Sequence, residues 1–333
     1  MLRILHNTKV DFIRLWRWST AITALFIIPG IILIAVSGFR YSIEFTGGTL
    51  MQLEFQQPVD VSDVRSALSE AGIDGAEIQR FGTPREVVIR AQDEQHVAQQ
   101  SVGAESIAQR IRNALTTRYG ADAYRVLRTE GVSPRVGAEL RQQALIAILL
   151  SFAATLVYLA WRFEWRFGVA AILATLHDIA ATLAFMRYMN LEISLFVVGA
   201  VLTVIGYSLN DTVVVFDRVR ENLKLHRKMS LYDILNVSVN ETLPRTVMTG
   251  STTLATLLAL LIFGGEVIRP FAWVLTFGIL VGTFSSIFVA GPVLLYIERK
   301  WPRAAGEKGG VTRSQLEPTT ESKRRAAEPV ATR

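Results

Sequence analysis

Long apolar runs alternate with polar pieces along this chain, and the lengths of the runs decide its class. Residues 19–36, 144–160, 167–185, 193–216, 246–263 and 271–297 are predominantly apolar. Each is close to the length that crosses about 30 Å of hydrocarbon at ~1.5 Å rise per residue. The pattern predicts six transmembrane helices. The first run carries Pro29 and Gly30 at its middle, which predicts a kink, and it lacks the small-x-small cleavage pattern of a signal peptide. It is therefore read as a retained span over residues 19–38, behind an N-terminal segment 1–18.

Between the first two spans, residues 39–141 change period. Residues 49–55 alternate as a strand, 61–71 recur at helical spacing through Val61, Val64 and Leu68, and 76–81 return to strand. Residues 86–90 form a further strand. A helix over 105–119 follows, with Ile107, Ile111 and Leu115 on one face and Gly120 at its end, and 124–129 close as a strand. The order βαββαβ predicts an α+β ferredoxin-like domain, two helices on one face of an antiparallel sheet, inserted between the first and second spans.

Residues 142–303 hold spans two to six. Within them residues 217–243 are polar and basic, and Ser230 with Asp233 reads as a helix start for an amphipathic segment through Leu231, Ile234 and Leu235. That segment is expected along the cytoplasmic surface, with Pro244 separating it from the fifth span. Residues 304–333 lack periodicity and are expected to be a disordered cytoplasmic tail.

Composition agrees with a polytopic membrane protein, since 50% of the 333 residues are hydrophobic. The absence of cysteine excludes a disulfide framework and thiolate metal sites, and leaves the redox compartment open. The net charge of +6 sits beside the spans rather than in a nucleic-acid patch. If six spans alternate, the basic clusters of the N-terminus, the loop 161–166, the segment 217–243 and residues 299–303 all fall on one side. Both termini are then cytoplasmic and the βαββαβ domain is extracytoplasmic.

Against this background Asp211 stands out. No other charged side chain occurs in residues 193–216, so a carboxylate lies inside the fourth span, about 7 to 8 Å from its cytoplasmic end at ~1.5 Å per residue. An ionisable group there is a functional-site candidate by default. Gly199, Thr203, Gly206 and Asn210 recur at i, i+4, i+7 and i+11 beside it and are expected to face other helices, the glycines for close packing. On the fifth span Arg245, Thr249, Thr252 and Thr256 repeat the spacing, which makes Arg245 a partner for Asp211 or, alternatively, a headgroup anchor. His177 and Asp178 on the third span, with Thr175 and Thr182, form a second titratable cluster suited to an ion relay or to polar contact between helices. Gly278 and Gly282, with Ser285, form a packing face on the sixth span. No phosphate-binding loop, HExxH or GxSxG motif is present, so no hydrolytic enzyme, metal or cofactor is signalled, and an ion gradient or a partner must supply energy.

The motifs IEFTGGT (43–49), GVSPRVGAEL (131–140), LHD (176–178), GYSLNDTVVVFDRVREN (206–222) and RTVMTGSTTL (245–254) occur in that order. On them the chain resembles the SecF family, the smaller membrane subunits of the bacterial SecD/SecF protein-export complex, within the resistance-nodulation-division superfamily. Glu44, Ser133 and Gly250 depart from the residues usual in the family at those positions. The resemblance implies a six-span half of a transporter core in the bacterial inner membrane, paired with a SecD-like six-span subunit. It also implies work with the Sec translocon channel and auxiliary membrane subunits on secreted, unfolded polypeptide, driven by the proton motive force. By the same resemblance Asp211 and Arg245 carry ion coupling, joined here by Asp178, His177 and Asn210. Gly47 and Gly48 at the entry to the extracytoplasmic domain, and Pro134 and Gly137 at its exit, are candidate hinge residues. A small-molecule/proton antiporter of the same superfamily is the alternative function.

Overall fold

The computed structural model describes residues 8–74, 76–91 and 103–301. The tail 304–333 and the first seven residues of the N-terminal segment lie outside the described residues. The chain divides into two compact units, one of Met1–Phe39, Leu149–Leu191 and Gly199–Arg333, the other of Arg40–Ile148 and Glu192–Val198.

The chain enters with a single 3-10 turn, Ile13–Leu15, then α1 (Trp16–Ser37) and a short helix α2 (Ile43–Thr46). The α/β elements are β1 (Gly48–Phe55), α3 (Val61–Glu70), β2 (Glu77–Phe81), β3 (Thr83–Ala91), α4 (Gly103–Tyr119) and β4 (Tyr124–Val132). The sheet order is β2-β3-β1-β4, with every neighbouring pair antiparallel. Each helix therefore connects strands that have another strand between them, which is the ferredoxin-like arrangement the periodicity predicts.

The alternation that identifies the strands also builds their core. Met51, Leu53 and Phe55 point to one side of β1 and are buried with Val87 and Ile89 of β3, Val64 and Leu68 of α3, and Ile111 and Leu115 of α4. Asp60 caps α3 by accepting the Ser62 N–H at 2.9 Å, and that bond holds the Asp60 carboxyl below the ordinary aspartate range. β3 starts at Thr83 rather than at 86. Gly82, with φ of 67°, closes a tight hairpin that pairs Phe81 with Thr83, so the strand begins there.

The remaining helices are α5 (Pro134–Arg162), α6 (Trp165–Tyr188), α7 (Leu195–Leu225), α8 (Leu231–Phe263), α9 (Gly265–Phe288) and α10 (Ala290–Lys300). Among the described residues six helices are long and apolar enough to cross a membrane, the last counted across α9 and α10. Two expectations need correction here. The segment 231–243 is not separate from the fifth span, because α8 runs for 33 residues through Pro244. Proline in a helix interior costs about 3 kcal/mol, yet Leu231, Ile234, Leu235, Ser238, Val239, Thr242, Leu243 and Thr246 are all buried along one face. That burial spans the proline and holds both parts of the helix against the same core. Ser230 caps the helix by accepting the Asp233 N–H, as the capping pattern predicts.

The sixth span is likewise two helices rather than one, broken at Val289. Pro292 supplies the cause. Its missing N–H leaves the carbonyl of Phe288 without its helical donor, and the Ser19 hydroxyl of α1 donates there at 3.5 Å. At 31 and 33 residues α7 and α8 exceed what about 30 Å of hydrocarbon requires, so both project beyond the apolar layer.

Candidate functional site

Asp178 and Asp211 are buried carboxylates on α6 and α7, and their surroundings differ. Asp178 is fully buried. Its Oδ2 accepts from the Ser208 hydroxyl of α7 at 2.5 Å and from the Ser285 hydroxyl of α9 at 2.6 Å, while the His177 Nδ1 lies 2.9 Å from Oδ1. Three helices thus converge on one side chain. The His177 Nε2 is buried and has no hydrogen-bond partner among the described residues.

Small residues make that convergence possible. A Cβ on Gly278 would sit 2.2 Å from the Val204 Cγ2, and one on Gly282 would sit 3.1 Å from the Ser208 Cβ. The two glycines of α9 are one turn apart, so they bring α9 against α7 closely enough for short serine side chains to reach Asp178. The Thr182 hydroxyl donates to the Asp178 carbonyl at 2.7 Å and that of Thr175 to the Ala171 carbonyl, so both threonines bond within α6. Ser208 and Ser285 as carboxylate donors were not expected, because serine on an apolar helix carries no distinctive signal.

Asp211 is 4% exposed, and the Thr246 hydroxyl of α8 donates to its Oδ1 at 3.3 Å. Its Oδ2 accepts from no group among the described residues. The pair expected with Arg245 is not a contact. Arg245 is exposed, and no ion pair joins it to Asp211 among the described residues, although its charge acts on Asp211 through space. The reason is helical phase: Thr246 is buried where α8 meets α7, and the preceding residue is turned about 100° away.

The same phase moves both polar stripes outward. Thr203, Gly206 and Asn210 on α7 are exposed, and a Cβ on Gly199 or Gly206 would meet nothing within 4 Å. Thr249, Thr252 and Thr256 on α8 are exposed as well, their hydroxyls donating to carbonyls one turn back at 2.9 to 3.0 Å. Among the described residues no helix of this chain covers Thr203, Gly206 and Asn210 or the α8 threonines. They form an uncovered polar surface beside the buried Asp211.

In the α/β unit, Gly47 and Gly48 carry φ of 76° and 127°, conformations that side chains resist. Pro134 opens α5, and a Cβ on Gly137 would lie 3.0 Å from the Gly47 nitrogen and 3.1 Å from the Phe45 carbonyl group. The four candidate hinge residues thus belong to one junction, closely packed at Gly137.

A further cluster was missed. Asp11 accepts from the Tyr232 hydroxyl at 2.7 Å, the Asn236 amide at 2.9 Å and the Arg14 N–H at 3.1 Å, while Asn240 exchanges bonds with the Val10 backbone. Tyr232, Asn236 and Asn240 recur every fourth residue of α8, and that spacing is the signal by which the clasp on the N-terminal segment was available. No group of His, Asp or Glu suited to a metal occurs among the described residues.

The family model "Protein export membrane protein SecD/SecF, C-terminal" matches residues 112–300, and the "SecD/SecF GG Motif" model matches residues 32–59. The chain is 57% identical over 305 residues to the protein translocase subunit SecF of Gemmatimonas aurantiaca, covering 91% of each. It is 46% identical over 290 residues to that of Desulfurispirillum indicum, covering 86% of this chain and 91% of the relative. Among solved structures it is similar to SecDF, a translocon-associated membrane protein of Thermus thermophilus, at 36% identity and a TM-score of 0.79. That match covers 90% of this chain but only 40% of the SecDF chain.

Proposed function

The chain belongs to the SecD/SecF family of protein-export membrane proteins, as a SecF-type translocase subunit, and we propose that it couples an ion gradient to the export of unfolded polypeptide across the bacterial inner membrane. The observation that carries the coupling is Asp211. Its carboxylate is buried in a membrane-spanning helix with one oxygen unpartnered among the described residues. Such a group is expensive to maintain in a bilayer without a purpose. Taking up a proton removes the charge and converts an acceptor into a donor, so contacts across the α7–α8 boundary change with each passage. Moving one charge across the membrane potential releases ~2.3 kcal/mol per 100 mV, enough to bias a conformational equilibrium of a few kcal/mol.

The uncovered stripe beside Asp211 supports pairing with a SecD-like six-span subunit. Thr203, Asn210, Thr249, Thr252 and Thr256 are exposed in the isolated chain within the apolar runs of the fourth and fifth spans, and Arg245 is exposed beside them. Polar groups there are expected to face protein or a water-filled path rather than lipid. A partner helix laid on this face would bring Arg245 and Asn210 into the same enclosure as Asp211. The solved SecDF chain is much the longer of the two, and a second subunit would supply its remaining part here. His177 and Asp178 form a further station for the ion.

In this reading both termini are cytoplasmic, the α/β unit is extracytoplasmic, the glycine junction at 47, 48, 134 and 137 allows its motion, and the Sec channel and auxiliary membrane subunits are partners. The relatives reported above are translocase subunits or SecDF, so the small-molecule antiporter alternative finds no support from them. Reconstitution tests the proposal. Vesicles holding the complete complex are expected to export an unfolded secreted chain faster when a proton gradient is imposed; a gradient response confined to a small-molecule probe would overturn it.

A further inference from the structure

The first turn of α7 and the residues just before it, 192–194, are held by three sets of bonds, all inside the α/β unit. The first is a backbone strap. Ile193 donates its N–H to the Arg40 carbonyl at 2.8 Å, and Ser42 donates its N–H to the Ile193 carbonyl at 3.0 Å, so Tyr41 and Ile193 pair as in a short parallel ladder. A reverse turn between two spans has no need of this pairing. It commits the turn before α7 to the stretch that leads into the sheet.

The second is a cap. Leu195 donates its N–H to the Glu44 carboxylate at 2.6 Å, and Val197 donates to the Ser194 hydroxyl at 3.3 Å. Two of the amides that a helix start leaves without intrahelical partners are satisfied in this way. The Glu44 charge also lies where the helix dipole favours an anion. Glu44 belongs to α2, immediately ahead of Gly47 and Gly48.

The third is a ring of charge. Glu192 pairs with Arg90 of β3 and lies 3.8 Å from Arg40. Arg40 in turn pairs with Glu77 of β2, whose other oxygen is 3.6 Å from Arg90. Isolated surface pairs contribute little, but here four charges alternate in sign, and the Glu192 and Arg90 side chains are only 18% and 21% exposed.

We propose that Glu44, Glu192 and Arg90 are positioning residues that make the first turn of α7 and the sheet move as one body. Displacement of the helix that carries Ser208 and Asp211 is then delivered to the α/β unit through this joint. The inference rests on the gradient-driven export reading and adds the residues by which ion coupling reaches the extracytoplasmic domain.

The absence of cysteine makes a direct test available. Ladder partners lie about 4.8 Å apart, within the Cα separation that a disulfide spans. A full-length chain with Tyr41→Cys and Ile193→Cys, in complex with its partner subunit in vesicles, is expected to keep its gradient-dependent export when oxidised, because the joint never opens. Glu192→Gln and Glu44→Ala are expected to lose most of the gradient-dependent increment while assembly and gradient-independent export persist, and Glu44→Gln, which keeps the acceptor, restores it. Loss of export on oxidation would overturn the proposal by showing that the joint must open. So would an unchanged increment in both Glu192→Gln and Glu44→Ala. If the unmodified complex shows no increment, it is the export reading that fails, and the joint has no displacement to deliver.

Discussion

Thr246 of α8 donates its hydroxyl to Asp211 of α7 across 3.3 Å, while the neighbouring arginine makes no contact with that carboxylate. The donor to the membrane carboxylate is thus a neutral group. Thr246→Val preserves shape and removes it, leaving Asp211 with no hydrogen-bond donor among the described residues. The loss of a donor to a buried group costs about 1–3 kcal/mol, and each 1.4 kcal/mol is about tenfold. Gradient-dependent export is expected to fall about tenfold with membrane insertion intact; an unchanged rate would show that this bond is dispensable.

Asp178 has two donors on one oxygen, so one is expected to compensate for the other. Ser208→Ala or Ser285→Ala leaves Oδ2 with a single hydroxyl, whereas the double variant leaves it none. Thermal unfolding in detergent is expected to show a double-variant cost larger than the sum of the singles, the coupling shared partners produce. Strict additivity would mean that the two hydroxyls do not share Asp178 in the folded protein.

The polar stripe predicts its own cover. Thr252→Leu and Thr256→Leu remove hydroxyls that, among the described residues, bond within α8. If lipid faces them, the chain should be unharmed or stabilised. The account instead predicts reduced co-isolation of a second six-span subunit from gentle detergent, with the substituted chain itself still inserted.

How much of this was legible follows from where each signal lay. The βαββαβ order was readable because Met51, Leu53 and Phe55, and Ile107, Ile111 and Leu115, repeat at the strand and helix periods and all face one core. Asp211 was readable because it is the sole charge in its run. Its partner was not, because an arginine at a span boundary outweighs a threonine by charge, whereas helical phase at the α7 contact decides which of the two is buried. Pro244 reads as a helix end, and only the buried face on both sides of it shows otherwise. Pro292 does end a helix, and it carried no more signal than Pro244. The ring of Arg40, Glu77, Arg90 and Glu192 joins residues far apart in the chain, a relationship that local patterns do not hold.

Acid sensitivity of the α/β unit has a defined sign at Asp60. Its carboxyl sits below the ordinary range because the Ser62 N–H bonds the charged form. A depressed folded value contributes stability above the unfolded pKa, about 3.9, which is lost as pH falls through the folded value. Hydrogen exchange in the first turn of α3 is therefore expected to be faster in Asp60→Ala than in the unmodified chain at neutral pH, and the difference is expected to close in acid below the ordinary aspartate range. A difference independent of pH would contradict the cap.

The central claim, that a proton on Asp211 drives export, is tested most directly by Asp211→Asn in the assembled complex. Asparagine keeps the shape and a hydrogen-bonding group for Thr246 but removes the exchangeable charge. Export of an unfolded chain from reconstituted vesicles is expected to continue at its gradient-independent rate and to lose its response to an imposed proton gradient. A full gradient response from the Asp211→Asn complex would contradict the account.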